Sequence, residues 1–206
     1  MCSSDLGRNT AIVRSNYRTP EGIAFYDHSV KLYEKLAGEL DYNIMFSQRG
    51  HLTLAHTERG VSGLRERALT NQLCGVNSRL IFPDEIREHV PDMQLEGSLR
   101  YPVMAALYHP PGGIIRHDAV VWAYARGADA GGVHVHQLTE VTDLEVTDGA
   151  ISGVVTNRGR IKAGAVVNAT AGYASTIAAM AGRQIPLETH PLQALVTEPL
   201  DRKSVV

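Results

Sequence analysis

The chain has 206 residues, 44% of them hydrophobic, with a formal net charge of -2. That suits a globular chain of one or two domains and is not basic enough for a nucleic-acid partner. No apolar run approaches the roughly 20 residues that cross a bilayer, so no membrane partner is expected. No basic head followed by an apolar core opens the sequence, and Cys2 and Cys74 form no CxxC pair. A cytoplasmic location is therefore the expectation.

Both ends read as foreign. MCSSDL and DRKSVV match translations of short-read sequencing adapters. Residues 1–6 and 201–206 are expected to be adapter translation around a native segment of about 7–200.

From residue 7 the chain opens with GRNTAIVRSNYR, an irregular stretch with an apolar kernel at Ala11-Ile12-Val13. Its arginines, asparagines and glycine suit either a solvated loop or one whose backbone donors face an anion. Thr19-Pro20 is a helix start, and apolar residues then recur at helical spacing to about Leu40. Asn43–Thr57 alternates with period two and predicts two strands, or one broken at Gly50. A second helix is predicted over Glu58–Leu73, a short strand over Arg79–Phe82, and a third helix from Pro83 to about Pro91. Met93–Met104 reads as loop with short strands.

Pro110-Pro111-Gly112-Gly113 is a rigid turn that feeds a helix over about His117–Ala130. Gly131-Gly132 ends it, and the alternating Val133–Gln137 predicts a strand, so the three read as the second half of a βαβ unit. His134 and His136 sit two apart, with no carboxylate or cysteine at metal-ligand spacing, and no metal is expected. Glu140 ends that strand, where a carboxylate can take ribose hydroxyls, although a Glu after a strand is also ordinary. Asp143–Val146, Ile151–Thr156 and Arg160–Ala163 predict an antiparallel meander with glycine at each turn. Ala165–Ala169 predicts a strand ending at Ala171-Gly172, where small residues allow either close ligand approach or close packing. A helix over Ser175–Ala181 and a strand over Leu192–Thr197 complete the chain. The dinucleotide fingerprint GxGxxG, the P-loop and the nucleophile elbow are all absent.

Literal strings carry a resemblance beyond these patterns. They are RNTAIVRSNY (8–17), SQRG (47–50), LAHT (54–57), YPVM (101–104), IRHD (115–118), TNRG (156–159) and HPLQALVTE (190–198). In this order and spacing the chain resembles the β subunits of heterotetrameric sarcosine oxidases, in the glycine/D-amino-acid oxidase group of flavoproteins. The resemblance implies an α/β fold: part of an FAD/NAD(P)-binding Rossmann-like domain (7–40 and 112–184) with an inserted α+β substrate domain (41–111 and 185–200). The N-terminal dinucleotide-binding βαβ and the C-terminal half of the family pattern are lacking.

The resemblance also implies an activity. Sarcosine is oxidatively demethylated to glycine, FAD accepts the substrate electrons, and covalent FMN passes them to oxygen to give hydrogen peroxide. His117 is the position whose ring nitrogen carries FMN, with Arg116 its basic neighbour. Asn9, Thr10 and Ile12 match contacts of a noncovalent FAD, Val141 the residue at its adenine, and Ala171 and Gly172 the small pair beneath it. Arg14 matches the arginine near the substrate carboxylate. Expected partners are α, γ and δ subunits, with tetrahydrofolate taking the one-carbon unit through a partner subunit. Two further readings follow: an FAD-only amine or imino-acid dehydrogenase, and a non-catalytic incomplete fragment. Read from the residues alone, a helix-start histidine beside Asp118 is ordinary.

Overall fold

The structure is a computed structural model, and it describes residues 10–190. Asn9, the strand expected over Leu192–Thr197 and both adapter-like ends lie outside the described residues. Two compact units divide at Val133/His134.

The first unit starts with a two-residue strand β1 (Ile12–Val13), where the sequence suggested only loop. Helix α1 (Pro20–Glu39) begins as its cap predicts: the Thr19 hydroxyl accepts the Gly22 N–H at 3.2 Å, and Pro20 takes the first turn. Ile23, Val30 and Leu36 form its buried stripe. Helix α2 (Glu58–Leu73) repeats the device, with Thr57 accepting the Gly60 N–H at 3.1 Å. It closes at Gly75, whose φ of 78° suits the residue without a Cβ. Helix α3 (Pro83–His89) again starts on proline.

Between the helices lies a three-stranded antiparallel sheet in the order β2 (His51–Ala55), β4 (Ala105–His109), β3 (Arg79–Ile81). The central β4 alternates between two cores. Leu107 packs with Leu64 and Ala68 of α2, while Ala106 packs with Ile81 and with Ile86 of α3. Ile81 and Ile86 are fully buried, and each such side chain contributes about 1.5–3 kcal/mol. A third cluster joins Leu36 of α1 and Ile44 to Val120 and Ala123 of helix α4 (His117–Ala130).

Strand β5 (Gly113–Ile114) crosses back to α4 and pairs antiparallel with β1. Of the expected Asn43–Thr57 strand pair only β2 forms. Ser47 makes a single bridge to Ile114, and Met45 adopts a φ of 53° that no strand allows.

The second unit is the expected meander: β6 (Val141–Thr147), β7 (Ala150–Thr156) and β8 (Gly159–Lys162). Asp148 and Gly149 both have positive φ (51° and 79°), the requirement of a two-residue hairpin turn. A 3-10 turn (Ala171–Tyr173) leads into α5 (Ala174–Met180).

Two expected strands are corrected. Val133–Gln137 and Ala165–Ala169 are irregular, with Val135 52% and Val167 89% exposed. Strand propensity needs a ladder to act on, and no described strand runs beside either segment. The half βαβ unit is thus present as its helix only. The arrangement otherwise keeps the mixed helix and sheet of a partial α/β domain.

Candidate functional site

The β1–β5 ladder brings the two ends of the candidate site together. Ile12 pairs with Ile114, the Ile115 N–H donates to the Ala11 carbonyl at 3.0 Å, and the Arg116 N–H to the Ile44 carbonyl at 3.1 Å. Directly paired residues of an antiparallel ladder share a face. Ile12 and Ile114 therefore form an apolar platform, 47% and 58% exposed, beside the start of α4. Thr10 is exposed at its head.

His117 is the first residue of α4 and is half-buried. Its neighbours hold one another. The Arg116 guanidinium donates to both Asp118 oxygens, at 3.0 and 2.8 Å, and Asp118 also accepts the Ala119 N–H at 2.9 Å. Arg116 holds the Asp118 carboxyl down at about 2, helped by that backbone donor. Among the described residues the His117 ring makes no hydrogen bond. In sequence His117 is flanked by the two partners of that ion pair, and Ile114, three residues before it, is exposed.

Arg14 follows β1 directly. Its Nη1 donates to Asn16 Oδ1 at 3.0 Å, and its guanidinium carbon lies 4.6 Å from the Tyr17 ring centroid. Tyr17 stacks on Tyr26 at 3.8 Å between centroids. The Asn16 amide nitrogen meets His51 Nδ1 at 3.4 Å. Because an amide N–H only donates, that nitrogen of His51 is the acceptor and the ring is neutral. Burial first, then the charge of Arg14, drops His51 to about 4.

Behind Arg14 sits a buried network that the sequence reading missed. His109 is fully buried. Its Nδ1 lies 2.8 Å from the Asn77 carbonyl and its Nε2 accepts the Ser15 backbone N–H at 3.2 Å. Ser78 Oγ touches Nδ1 at 3.2 Å and donates to Asn71 Oδ1 at 3.1 Å. Asn71 in turn donates to the Tyr17 carbonyl at 2.8 Å. Arg67 of α2 donates to the Asn16 carbonyl. The loop 14–17 is thus fixed by side chains from α2, β2 and β4. Only one signal pointed there: His109 stands at an inward position of β4, directly before Pro110-Pro111.

The remaining site residues lie in the second unit. Val141 opens β6 opposite Thr156, with Asn157 closing the turn through Glu140 at 3.0 and 3.1 Å. Ala171 takes a φ of 47°, rare for a residue with a Cβ, and Gly172 follows with its carbonyl accepting the Thr189 hydroxyl at 2.9 Å. Among the described residues no helix is long and apolar enough to cross a membrane.

A family model described as FAD dependent oxidoreductase (DAO) matches residues 3–206. The chain is 43% identical over 198 residues to a sarcosine oxidase subunit beta from Arthrobacter sp, covering 96% of this chain and 49% of that one. It is also 43% identical, over 194 residues, to the same subunit of Rhodobacter capsulatus, covering 94% and 47%. Among solved structures, L-proline dehydrogenase from P. horikoshii superposes with a TM-score of 0.79 at 30% identity, over 87% of this chain and 46% of that one. The chain spans about half the length of the curated relatives it matches.

Proposed function

From a chain that belongs to the family of FAD-dependent oxidoreductases, we propose that the whole protein oxidises sarcosine as the β subunit of a multi-subunit oxidase. The observation that carries the reading is the 43% identity to sarcosine oxidase β subunits along 96% of the chain. The IRHD and RNTAIVRSNY strings lie within that span, on the two ends that β1 and β5 join.

FAD would supply the two-electron acceptor for the amine, and FMN the route from it to oxygen, which leaves as peroxide. The chain's own residues bind and orient. Arg14 takes the substrate carboxylate as a charge-assisted pair, with Asn16 and Tyr17 fixing its plane. Ile12, Thr10 and Asn9 line the FAD, Val141 meets its adenine, and Ala171 and Gly172 leave room for its approach. His117 offers a ring nitrogen for the tether, and Arg116 keeps positive charge beside the FMN. The imine product is hydrolysed to glycine and formaldehyde, or its one-carbon unit passes to tetrahydrofolate on a partner subunit. The α, γ and δ subunits complete the assembly, and its place is the cytoplasm. The flavin domain takes residues 7–40 and 112–184, and the substrate domain the remainder of 41–200.

The test is the mass of the proteolytic peptide containing His117 from the whole purified protein. The expected peptide carries one FMN, and His117→Ala carries none. An unmodified peptide in flavin-loaded, active protein overturns the tether. A second reading, an FAD-only imino-acid dehydrogenase, draws on the likeness to L-proline dehydrogenase. It predicts that unmodified peptide, together with turnover of proline rather than sarcosine.

A further inference from the structure

The pocket beside Arg14 holds more positive charge than one guanidinium. A cleft of about 290 Å³ is lined by Arg14, Tyr17, Arg18, Thr19 and Arg67, with no carboxylate among them. Among the described residues none of its three arginines has an ion pair. Arg14 and Arg67 converge on one residue from two sides: Arg14 on the side-chain oxygen of Asn16, Arg67 on its backbone oxygen. Arg67 is half-buried. That burial, with the charges of Arg14 and Arg18, brings it down to about 10, so it stays charged at neutral pH.

Like charges gathered in a partly desolvated cleft repel one another, and a bound anion removes that penalty. The cleft is large enough to admit a small anion. The chemistry matches a carboxylate: planar guanidinium forks bind its two oxygens, and the Tyr17 ring beneath Arg14 restricts how that fork turns. The Asn16 carbonyl occupies one edge of Arg67 and leaves the rest of its fork available.

We propose that Arg67 is a second carboxylate-binding residue, which with Arg14 forms a two-guanidinium site selecting amino-acid substrates by their carboxylate. This rests on the reading of Arg14 as the substrate-carboxylate contact. Arg67 would set substrate affinity rather than the rate of bond breaking, because it stands at the carboxylate and away from the N-methyl group.

The experiment uses the whole flavin-loaded protein and two readouts. The first is acetate binding, followed by the change it causes in flavin absorbance. The second is steady-state oxidation of sarcosine and of its carboxamide, which lacks the negative charge. Arg67→Gln keeps a donor for the Asn16 carbonyl and removes the charge; Arg67→Lys restores charge. R67Q is expected to weaken acetate roughly tenfold or more, the worth of a charged hydrogen bond. It should raise the sarcosine KM by a similar factor, with kcat within about twofold and the carboxamide unaffected, and R67K should recover most of the loss. Unchanged acetate affinity in R67Q, or an equal loss for acid and carboxamide, overturns the proposal. If the protein binds acetate in an Arg67-dependent way but does not oxidise sarcosine, the proposed function fails and this site stands. If sarcosine is oxidised with R67Q binding acetate as well as wild type, the reverse holds.

Discussion

The imidazole of His109 has no freedom of tautomer. The Asn77 carbonyl can only accept, so Nδ1 carries the hydrogen; the Ser15 backbone N–H can only donate, so Nε2 stays bare. A second proton would face an N–H with an N–H. Burial lowers His109, and His51 falls to about 4. The sign of the pH effect follows. Both rings titrate below their unfolded value of 6.5. Between about pH 6.5 and about 4 the unfolded chain takes up protons that the folded chain refuses. The stabilisation is fully present above about 6.5 and is lost as pH falls, for His51 toward about 4. The denaturation midpoint of the whole protein should therefore drop across that window, and His51→Gln should flatten part of the slope. A midpoint indifferent to pH there would mean that the rings are not held neutral. Replacing His109 by Leu orphans the Ser15 N–H and the Asn77 carbonyl together. The expected loss is about 2–4 kcal/mol by chemical denaturation.

At the scale of elements, the tightest join is the crossing strand β5. A Cβ built on Gly113 would sit against the Ser47 carbonyl oxygen and 2.9 Å from Gln48 Cα, both backbone. Ser47 and Ile114 exchange hydrogen bonds there, at 2.9 and 3.1 Å. Gly113→Ala must push that bridge apart and should cost on the order of 3 kcal/mol or more. It should also loosen the entry to α4, and so the position of His117. Gly63→Ala, in the interior of α2 with nothing within 4 Å, should instead stabilise by about 0.5–1 kcal/mol. Thermal melts of the two variants should move in opposite directions, and a shared direction would contradict the packing assigned to Gly113. The same contrast explains what was legible in the sequence. The four helices before residue 131 were readable because caps, prolines and apolar stripes act within a few residues. Val133–Gln137 and Ala165–Ala169 misled because their β-branched pattern states a preference that only a neighbouring strand can satisfy. Arg14 and His117 were singled out through literal strings. The His109–Ser15–Ser78 network, with Arg67 on Asn16, was not, because it joins positions 31 to 94 apart in the chain and carries no local signature.

Over the whole molecule, the candidate flavin contacts fall into two compact units. Thr10, Ile12, Arg116 and His117 belong to the first, and Val141, Ala171 and Gly172 to the second. The chain between α4 and β6 has no ladder to protect it. Val133, Val135 and Leu138 are 54%, 52% and 86% exposed, and Leu138 also has a φ of 53°. Exposed irregular backbone is where proteases cut first. Brief chymotrypsin treatment of the 206-residue chain should therefore nick after Leu138 before any site within α1, α2 or the meander. Intact mass should report two fragments that meet there. The apolar pair Ile12 and Ile114 is exposed in this chain, and the flavin contacts of the proposed function are divided between the units. The 206 residues should accordingly retain FAD far below one equivalent after desalting, and less still once nicked. Retention of one equivalent by the intact chain would show that these contacts suffice, and the reading of the polypeptide as a non-catalytic partial cradle would fall. A first cut within the meander would instead mean that β6, β7 and β8 hold together less firmly than their paired ladders imply.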